Sequence, residues 1–82
     1  MAGEIVEKVV RFIVSEIVES PEDVQVDLLE DGPDEVVAEV KTAKTDMGRV
    51  IGRRGRVARA IRTLAQAAGD EEGLKANVEF LD

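Results

Sequence analysis

The sequence predicts a two-layer α+β domain in which helices cover one face of a three-stranded sheet. Two segments with polar residues at helical spacing indicate long helices, one near the N-terminus and one after residue 55. Three segments alternate apolar and polar residues as half-buried strands do, and a turn separates the first two. The predicted order is α-β-β-α-α-β, and all 82 residues are assigned to one domain.

Residues 4–19 are predicted to form the first helix. Glu4, Lys8 and Arg11 lie on one side of its helical wheel, and a broad apolar arc fills the other: Ile5, Val6, Val9, Val10, Phe12, Ile13 and Ile17. Ser20-Pro21 follows, and proline is common just after a helix terminus. The arc is wider than contact with one sheet face requires, so it has room for a second partner surface.

Two strands are expected next, joined by a turn. Residues 24–30 and 35–43 alternate in polarity, and Asp31-Gly32-Pro33-Asp34 between them is a turn sequence, so the strands should form an antiparallel hairpin. A last strand is predicted over residues 74–81. The residues expected to face inward on the first and last strands are Val24, Val26, Leu28, Ala76, Val78 and Phe80.

Two helices are predicted between the hairpin and the last strand. Thr45-Asp46 should cap a single helical turn over residues 47–51. A longer helix should begin at Arg56 and end near Ala68, with Gly69 in the position after its C-terminus and an acidic loop over residues 70–73. Its expected apolar face comprises Val57, Ile61, Leu64 and Ala68.

Positive charge is concentrated in one part of an acidic chain. The net charge is −7, but residues 41–62 hold eight basic residues against Asp46 alone, a local charge of +7, and the remainder carries −14. Such a one-sided basic segment is typical of a surface that binds a polyanion. A solvated helix face paired with acidic residues elsewhere is the alternative interpretation.

Composition excludes several classes of site. The chain has no cysteine and no histidine, so disulfides, thiolate metal sites and the commonest general base are absent. We therefore expect no metal, no cofactor and no catalytic activity, and interpret its carboxylate pairs beside turns as solvated surface. Phe12 and Phe80 are the only aromatic residues, which makes base stacking on aromatic rings a minor mode of binding. The sequence shows neither a signal peptide nor an apolar run of about 20 residues, and a cytoplasmic location is expected.

Gly52-Arg53-Arg54-Gly55 lies at the sharp turn between the two predicted central helices. The free amides at the start of the longer helix are suited to an anion, and phosphate is the ligand expected there. A simple helix–helix turn is the alternative, because glycine is frequent in such turns. A phosphate loop of the Walker type is excluded, because residues 48–55 lack its Gly-Lys-Ser/Thr ending.

The stretch Ile51-Gly52-Arg53-Arg54-Gly55-Arg56, within this order of elements, resembles a KH domain of the second, bacterial-type topology. Residues 46–52 followed by 55–64 are similar to the small single-KH bacterial RNA-binding proteins called KhpA. The resemblance implies a mixed sheet with the last strand parallel to a hairpin strand, and a groove between the central helices and that strand. It also implies a post-transcriptional regulator or RNA chaperone that forms a homodimer and pairs with a larger Jag-type KH protein, with no membrane attachment.

The resemblance further implies roles for individual residues. Gly52, Arg53, Arg54 and Gly55 would grip about four nucleotides of single-stranded RNA by their sugar-phosphate chain. Secondary phosphate contacts would come from Arg49, Arg56 and Arg59, and apolar surface for bases from Val50, Ile51 and Val57. Lys75 and Asn77 fit either base-edge contacts or an outward strand face. The acidic residues 70–72 would frame the groove and confine RNA to its arginine side.

Two other functions fit the sequence less well. A KH fold whose main task is to dimerise or recruit a protein is favoured by the acidic balance and the shortage of aromatic residues. DNA binding through a helix-turn-helix is the second, but the first helix of the pair is only about one turn long, and single strands suit a narrow groove better than a duplex does.

Overall fold

The computed structural model describes residues 2–81 and contains the six predicted helices and strands in the predicted order. The two-layer α+β fold class is therefore confirmed. Short 3-10 turns lie at Pro21–Asp23, Lys44–Asp46 and Arg53–Gly55. The helices and strands are α1 (Glu4–Ile17), β1 (Gln25–Glu30), β2 (Glu35–Lys41), α2 (Met47–Ile51), α3 (Arg56–Glu72) and β3 (Lys75–Leu81).

The sheet has the order β1-β2-β3, with β2 in the centre. β1 and β2 form the expected antiparallel hairpin, in which Val26 lies opposite Val40. β3 is parallel to β2 and places Val78 beside Ala38, which confirms the mixed sheet. The central strand is the most deeply buried, while β1 and β3 form the two edges.

An arginine from an overlying helix reaches each edge of the sheet. Arg11 of α1 donates a hydrogen bond to the backbone oxygen of Val26 in β1 at 3.3 Å. Arg62 of α3 donates to the backbone oxygen of Val78 in β3 at 3.2 Å. Each edge strand therefore has a backbone acceptor that is bound by an arginine side chain.

The core lies between the sheet and the helices, and it is built mainly of valine and alanine. α1 contributes Val6, Val10 and Val14, none of which is exposed to solvent. α3 contributes small side chains, which let its backbone come close to the sheet. Its buried residues are Ala58, Ile61, Ala65, Ala68 and Gly69.

The predicted end of α3 was wrong. The helix continues through Gly69 to Glu72 and ends at Gly73, whose φ of +70° is the left-handed conformation that glycine favours. Gly69 is buried inside the helix, where a Cβ atom would lie 2.7 Å from the backbone oxygen of Leu74. Gly69 therefore permits close packing against the start of β3, and residues 70–72 form the last helical turn instead of a loop.

The predicted inner face of α3 was also partly wrong. Leu64 is 48% exposed, whereas Ala58 and Ala65 occupy the core positions. In α1, Phe12 is 66% exposed although it belongs to the predicted apolar arc. Apart from Ile61, the buried side chains of α3 are alanines, whereas Leu64 and Phe12 lie at the surface of the helical layer.

Two carboxylates join parts of the chain that are distant in sequence. Glu72 accepts hydrogen bonds from the backbone amides of Gly3 and Ile5 at 3.0 Å and of Val6 at 3.2 Å, so it caps the start of α1. Asp46 is 1% exposed and accepts from the amides of Glu19 and Ser20, each at 3.1 Å. The expected capping of α2 by Asp46 was therefore wrong, because its side chain instead holds the segment that follows α1.

Candidate nucleic-acid interface

The loop at residues 52–55 is a tight reversal between α2 and α3. Gly52 ends α2 with φ 75° and ψ 172°, and its amide donates to the backbone oxygen of Gly48 at 2.9 Å. The Gly55 amide donates to the Gly52 oxygen at 3.1 Å, and Gly55 then leads into α3 with φ 73° and ψ 17°. The reversal therefore places the first turn of α3 directly behind the tip.

The two glycines meet different requirements. A Cβ atom on Gly52 would lie 2.8 Å from the Cβ of Val57 and 2.9 Å from its backbone nitrogen, so Gly52 is needed for packing within the protein. A Cβ atom on Gly55 would have no atom within 4 Å, although its φ of +73° still favours glycine. Gly55 therefore leaves open space beside the N-terminus of α3.

Arg53 and Arg54 are both exposed at the tip of the loop. Arg54 has φ 57° and ψ 25°, and it is the one non-glycine residue with a positive φ in the part of the chain that the structure describes. This conformation costs on the order of 1 kcal/mol. The Arg59 side chain donates to the Arg54 backbone oxygen at 3.3 Å and supports the strained turn.

The other predicted phosphate-binding arginines differ in their surroundings. Arg56 and Arg59 are exposed in the first turns of α3, next to the loop. Arg49 is half-exposed and already forms ion pairs, one with Glu19 and one with Asp46, with 3.4 Å between Nε and Oδ1 in the second. Fewer of its N–H groups are consequently available to a ligand.

The predicted apolar surface for bases is smaller than expected. Val50 is completely buried in the core, so it has no surface to offer a base in this conformation. Ile51 and Val57 are partly buried and keep some exposed surface beside Gly52. The apolar floor at this end of α3 therefore comes from two side chains.

The wall of the predicted groove that is formed by β3 has few side chains that could contact RNA. In β3, Ala76 and Val78 face the helices, whereas Lys75 and Asn77 alternate with them and are exposed. The placement of Lys75 and Asn77 agrees with an outward strand face. The Nζ atom of Lys75 lies 4.0 Å from Oε1 of Glu35. Asp70 and Glu71 are exposed in the last turn of α3, about 20 Å along the helix from Arg56. These acidic residues are therefore remote from the loop.

Arg62 was not predicted as a site residue from the sequence, but the structure places it beside the candidate residues of α3. Besides its bond to Val78, its guanidinium lies over the ring of Phe80, 5.3 Å from the ring centre. The helical spacing that places Arg62 one turn beyond Arg59 could have suggested it. Its partners could not be anticipated, because Val78 lies 16 residues further along the chain.

Residues 2–81 have neither a metal-binding cluster nor a membrane-spanning helix. These residues contain no group of three or more carboxylate, thiol or imidazole side chains arranged to hold a metal ion. In the same range, no helix has both the length and the apolar character needed to cross a membrane.

Comparisons with known proteins give consistent matches. The family model described as "KhpA/KhpB, KH domain" matches residues 7–80. A Clostridium perfringens protein named RNA-binding protein KhpA is 40% identical over 74 residues, which cover 90% of this chain and 97% of that protein. The Bacillus subtilis protein of the same name is 34% identical over 82 residues and the full length of both chains.

Solved structures with the same fold include Era in complex with MgGDPNP and nucleotides 1506–1542 of 16S ribosomal RNA. The TM-score is 0.69 at 20% identity, over 98% of this chain and 30% of the Era chain. At this identity the match shows a shared fold. The family model and the relatives together establish that this chain belongs to the KhpA/KhpB family of KH domains.

Proposed function

We propose that the protein binds single-stranded RNA through residues 52–55 and the first half of α3, and that it grips the sugar-phosphate chain of about four nucleotides. Its relatives carry the name RNA-binding protein, which supports this ligand. The loop would act as a backbone clamp, with Arg53 and Arg54 beside the phosphates and the open space at Gly55 admitting the chain.

The observation that carries the proposal is the charge distribution along α3. Arg56, Arg59 and Arg62 occupy its N-terminal half, while its last turn has three acidic residues, Asp70–Glu72. A helix dipole favours the reverse arrangement, by roughly 0.3–1 kcal/mol for each end-turn charge. The helix therefore carries positive charge where the dipole already attracts anions, as a phosphate-binding surface requires.

The remaining residues of the interface would act around this clamp. Arg56 and Arg59 would neutralise neighbouring phosphates, and Ile51 and Val57 would contact a base or sugar. Arg49 would contribute through the N–H groups that its ion pairs with Glu19 and Asp46 leave available. No step of bond making or breaking is involved, since the proposed role is binding, in an RNA chaperone or post-transcriptional regulator.

We also propose self-association, with a homodimer as the simplest form, and pairing with a larger Jag-type KH protein. The exposed side chains of Phe12, Ile5 and Leu64 support the first proposal, because all three lie on α1 and α3, away from the loop. RNA and a protein partner could then bind to different surfaces of the same molecule.

Reversal of charge at the tip tests the RNA clamp. Replacing Arg53 and Arg54 together with Asp changes the local charge by −4 beside the phosphates, and we expect binding to short single-stranded RNAs to be lost. For the unmodified protein, about three neutralised phosphates give a slope near −2 for log affinity against log salt concentration. Fluorescence anisotropy at several salt concentrations measures both quantities.

A matched variant controls for net charge. Lys8 and Lys75 are exposed on α1 and β3, outside the proposed interface, and their replacement with Asp changes the total charge by the same amount. We expect this variant to bind RNA with a much smaller loss, and circular dichroism should show that both variants are folded. Equal binding by the folded Arg53→Asp/Arg54→Asp variant and the unmodified protein would show that the clamp is assigned wrongly.

A further inference from the structure

Arg62 connects the two walls of the predicted groove. It extends from α3, and its Nε atom donates to the backbone oxygen of Val78 on the edge strand β3, at 3.2 Å. The ring of Phe80 supports its guanidinium, at 5.3 Å from the ring centre. The residue nevertheless remains exposed to solvent. An arginine is thus held in a defined orientation at a surface open to a ligand.

The contacts of Arg62 leave its outer N–H groups available. Over residues 2–81, neither Nη atom has a hydrogen-bond or ion-pair partner, while Nε and one ring face are engaged. The two Nη atoms form a planar fork of parallel donors. Since Val78 and Phe80 already orient the plane, little side-chain freedom would be lost on binding.

The position of Arg62 relative to the loop favours a base over a phosphate. Arg59 lies beside the loop and supports it, and Arg62 lies three residues, about 4.5 Å, further along α3. A strand whose phosphates are held at residues 52–56 and that continues along α3 would pass Arg62 where it contacts the edge strand β3. A phosphate contact needs positive charge but not a fixed plane, whereas recognition of a base edge needs both position and plane.

We propose that Arg62 recognises a guanine base in the bound RNA, with its two Nη groups donating to guanine O6 and N7. This inference rests on the proposed RNA binding and adds a specificity-determining residue to it. Guanine presents two adjacent acceptors on this edge, and a bidentate arginine is the commonest specific contact to them. Adenine has a donor in place of O6, so it would be disfavoured at the same position.

Short RNAs of defined sequence test the proposal without any variant. The probes are five-nucleotide uridine RNAs in which a single guanosine is moved through each position. At one position we expect about tenfold tighter binding than for the all-uridine RNA, within the range for one bidentate contact. Inosine retains O6 and N7 and should bind there as guanosine does, whereas 7-deazaguanosine lacks N7 and should lose most of the gain.

A charge-preserving substitution then assigns the effect to Arg62. Arg62→Lys keeps the positive charge but removes the planar fork, so we expect the guanosine preference to disappear and the salt slope with the all-uridine RNA to remain unchanged. Arg56→Lys is the matched control on the same helix, and it should retain the preference. Thermal unfolding of both variants verifies that the contact between α3 and β3 has not been lost with the fold.

The outcomes separate this inference from the RNA-binding proposal. If the unmodified protein binds all the RNAs with equal affinity, RNA binding stands and guanine recognition by Arg62 is overturned. A guanosine preference that survives in folded Arg62→Lys, or a loss of affinity in that variant that is equal for every RNA, also overturns it. If the unmodified protein binds none of the RNAs, both proposals fail.

Discussion

At the scale of single residues, Gly52 and Gly55 show how one residue type can serve structure and ligand separately. Gly52 combines a positive φ with an extended ψ, a region open almost only to glycine, and it also packs against Val57. Gly55 has a left-handed conformation that other residues reach at moderate cost, and the space around it is empty. Substitution at these two positions should therefore have different effects.

We expect Gly52→Ala to destabilise the fold by about 3 kcal/mol or more, because backbone strain and the clash with Val57 add together. Gly55→Ala should lower the free energy of unfolding by only about 1 kcal/mol. It should nevertheless weaken RNA binding, since the new methyl group projects into the open space proposed for the RNA backbone. Urea unfolding measures the stabilities, and anisotropy measures binding. Full RNA affinity in folded Gly55→Ala would contradict the proposed approach of the RNA.

The sequence was sufficient to predict the loop and its arginines, but not the separate roles of these residues. The clash at Gly52 depends on the position of Val57, and the fixed plane of Arg62 depends on Val78 and Phe80 in another strand. Val50 was assigned to the interface because it precedes the loop, yet its side chain points into the core. Such assignments need the direction of each side chain, which local spacing does not supply for a helix of five residues.

At the scale of helices and strands, α3 shows why the end of a helix is difficult to predict from sequence. Its sequence contains two glycines near the end, Gly69 and Gly73, and either could follow a helix terminus. In the structure, Gly73 has the left-handed conformation that ends the helix, whereas Gly69 lies inside the helix and packs closely against Leu74 and Ala76. The order and type of the two long helices and the three strands were predictable because their polarity patterns are long and regular.

The extended α3 also brings Glu72 to the start of α1. We expect Glu72→Ala to destabilise the protein by about 1–2 kcal/mol, because three backbone amides of the segment Gly3–Val6 lose their acceptor. Its neighbour Glu71 is exposed in the same helical turn, and Glu71→Ala serves as the matched control with little expected effect. Urea unfolding compares the two variants, and equal stability would show that the cap contributes nothing.

At the scale of the whole molecule, charge and apolar surface are separated. The basic residues cluster at the loop and the first half of α3, whereas the exposed side chains of Ile5 and Phe12 lie on α1. Membership of the KhpA/KhpB family confirms the prediction that the chain is not an enzyme. The exposed apolar side chains of α1 are therefore available for the proposed self-association, on a different helix from the proposed RNA site.

We expect the protein to self-associate at micromolar concentration and Phe12→Ser to weaken this association, because Phe12 is 66% exposed on α1. Leu29→Ser is the matched control, since Leu29 is 47% exposed but belongs to β1. Sedimentation velocity over a range of concentrations measures the association, with circular dichroism as a check of folding. A strict monomer throughout that range, or an equal effect of Leu29→Ser, would contradict an interface on the helices.

The two arginines that reach the sheet edges have a consequence for aggregation. An edge strand with free backbone groups can recruit a strand from another molecule, and repetition of this step produces fibrils. Arg11 and Arg62 each donate a hydrogen bond to a backbone carbonyl of an edge strand. A second chain that pairs with the edge strand at that carbonyl would have to displace this hydrogen bond. The fold can thus remain a small open sheet, rich in valine, without growing by strand addition.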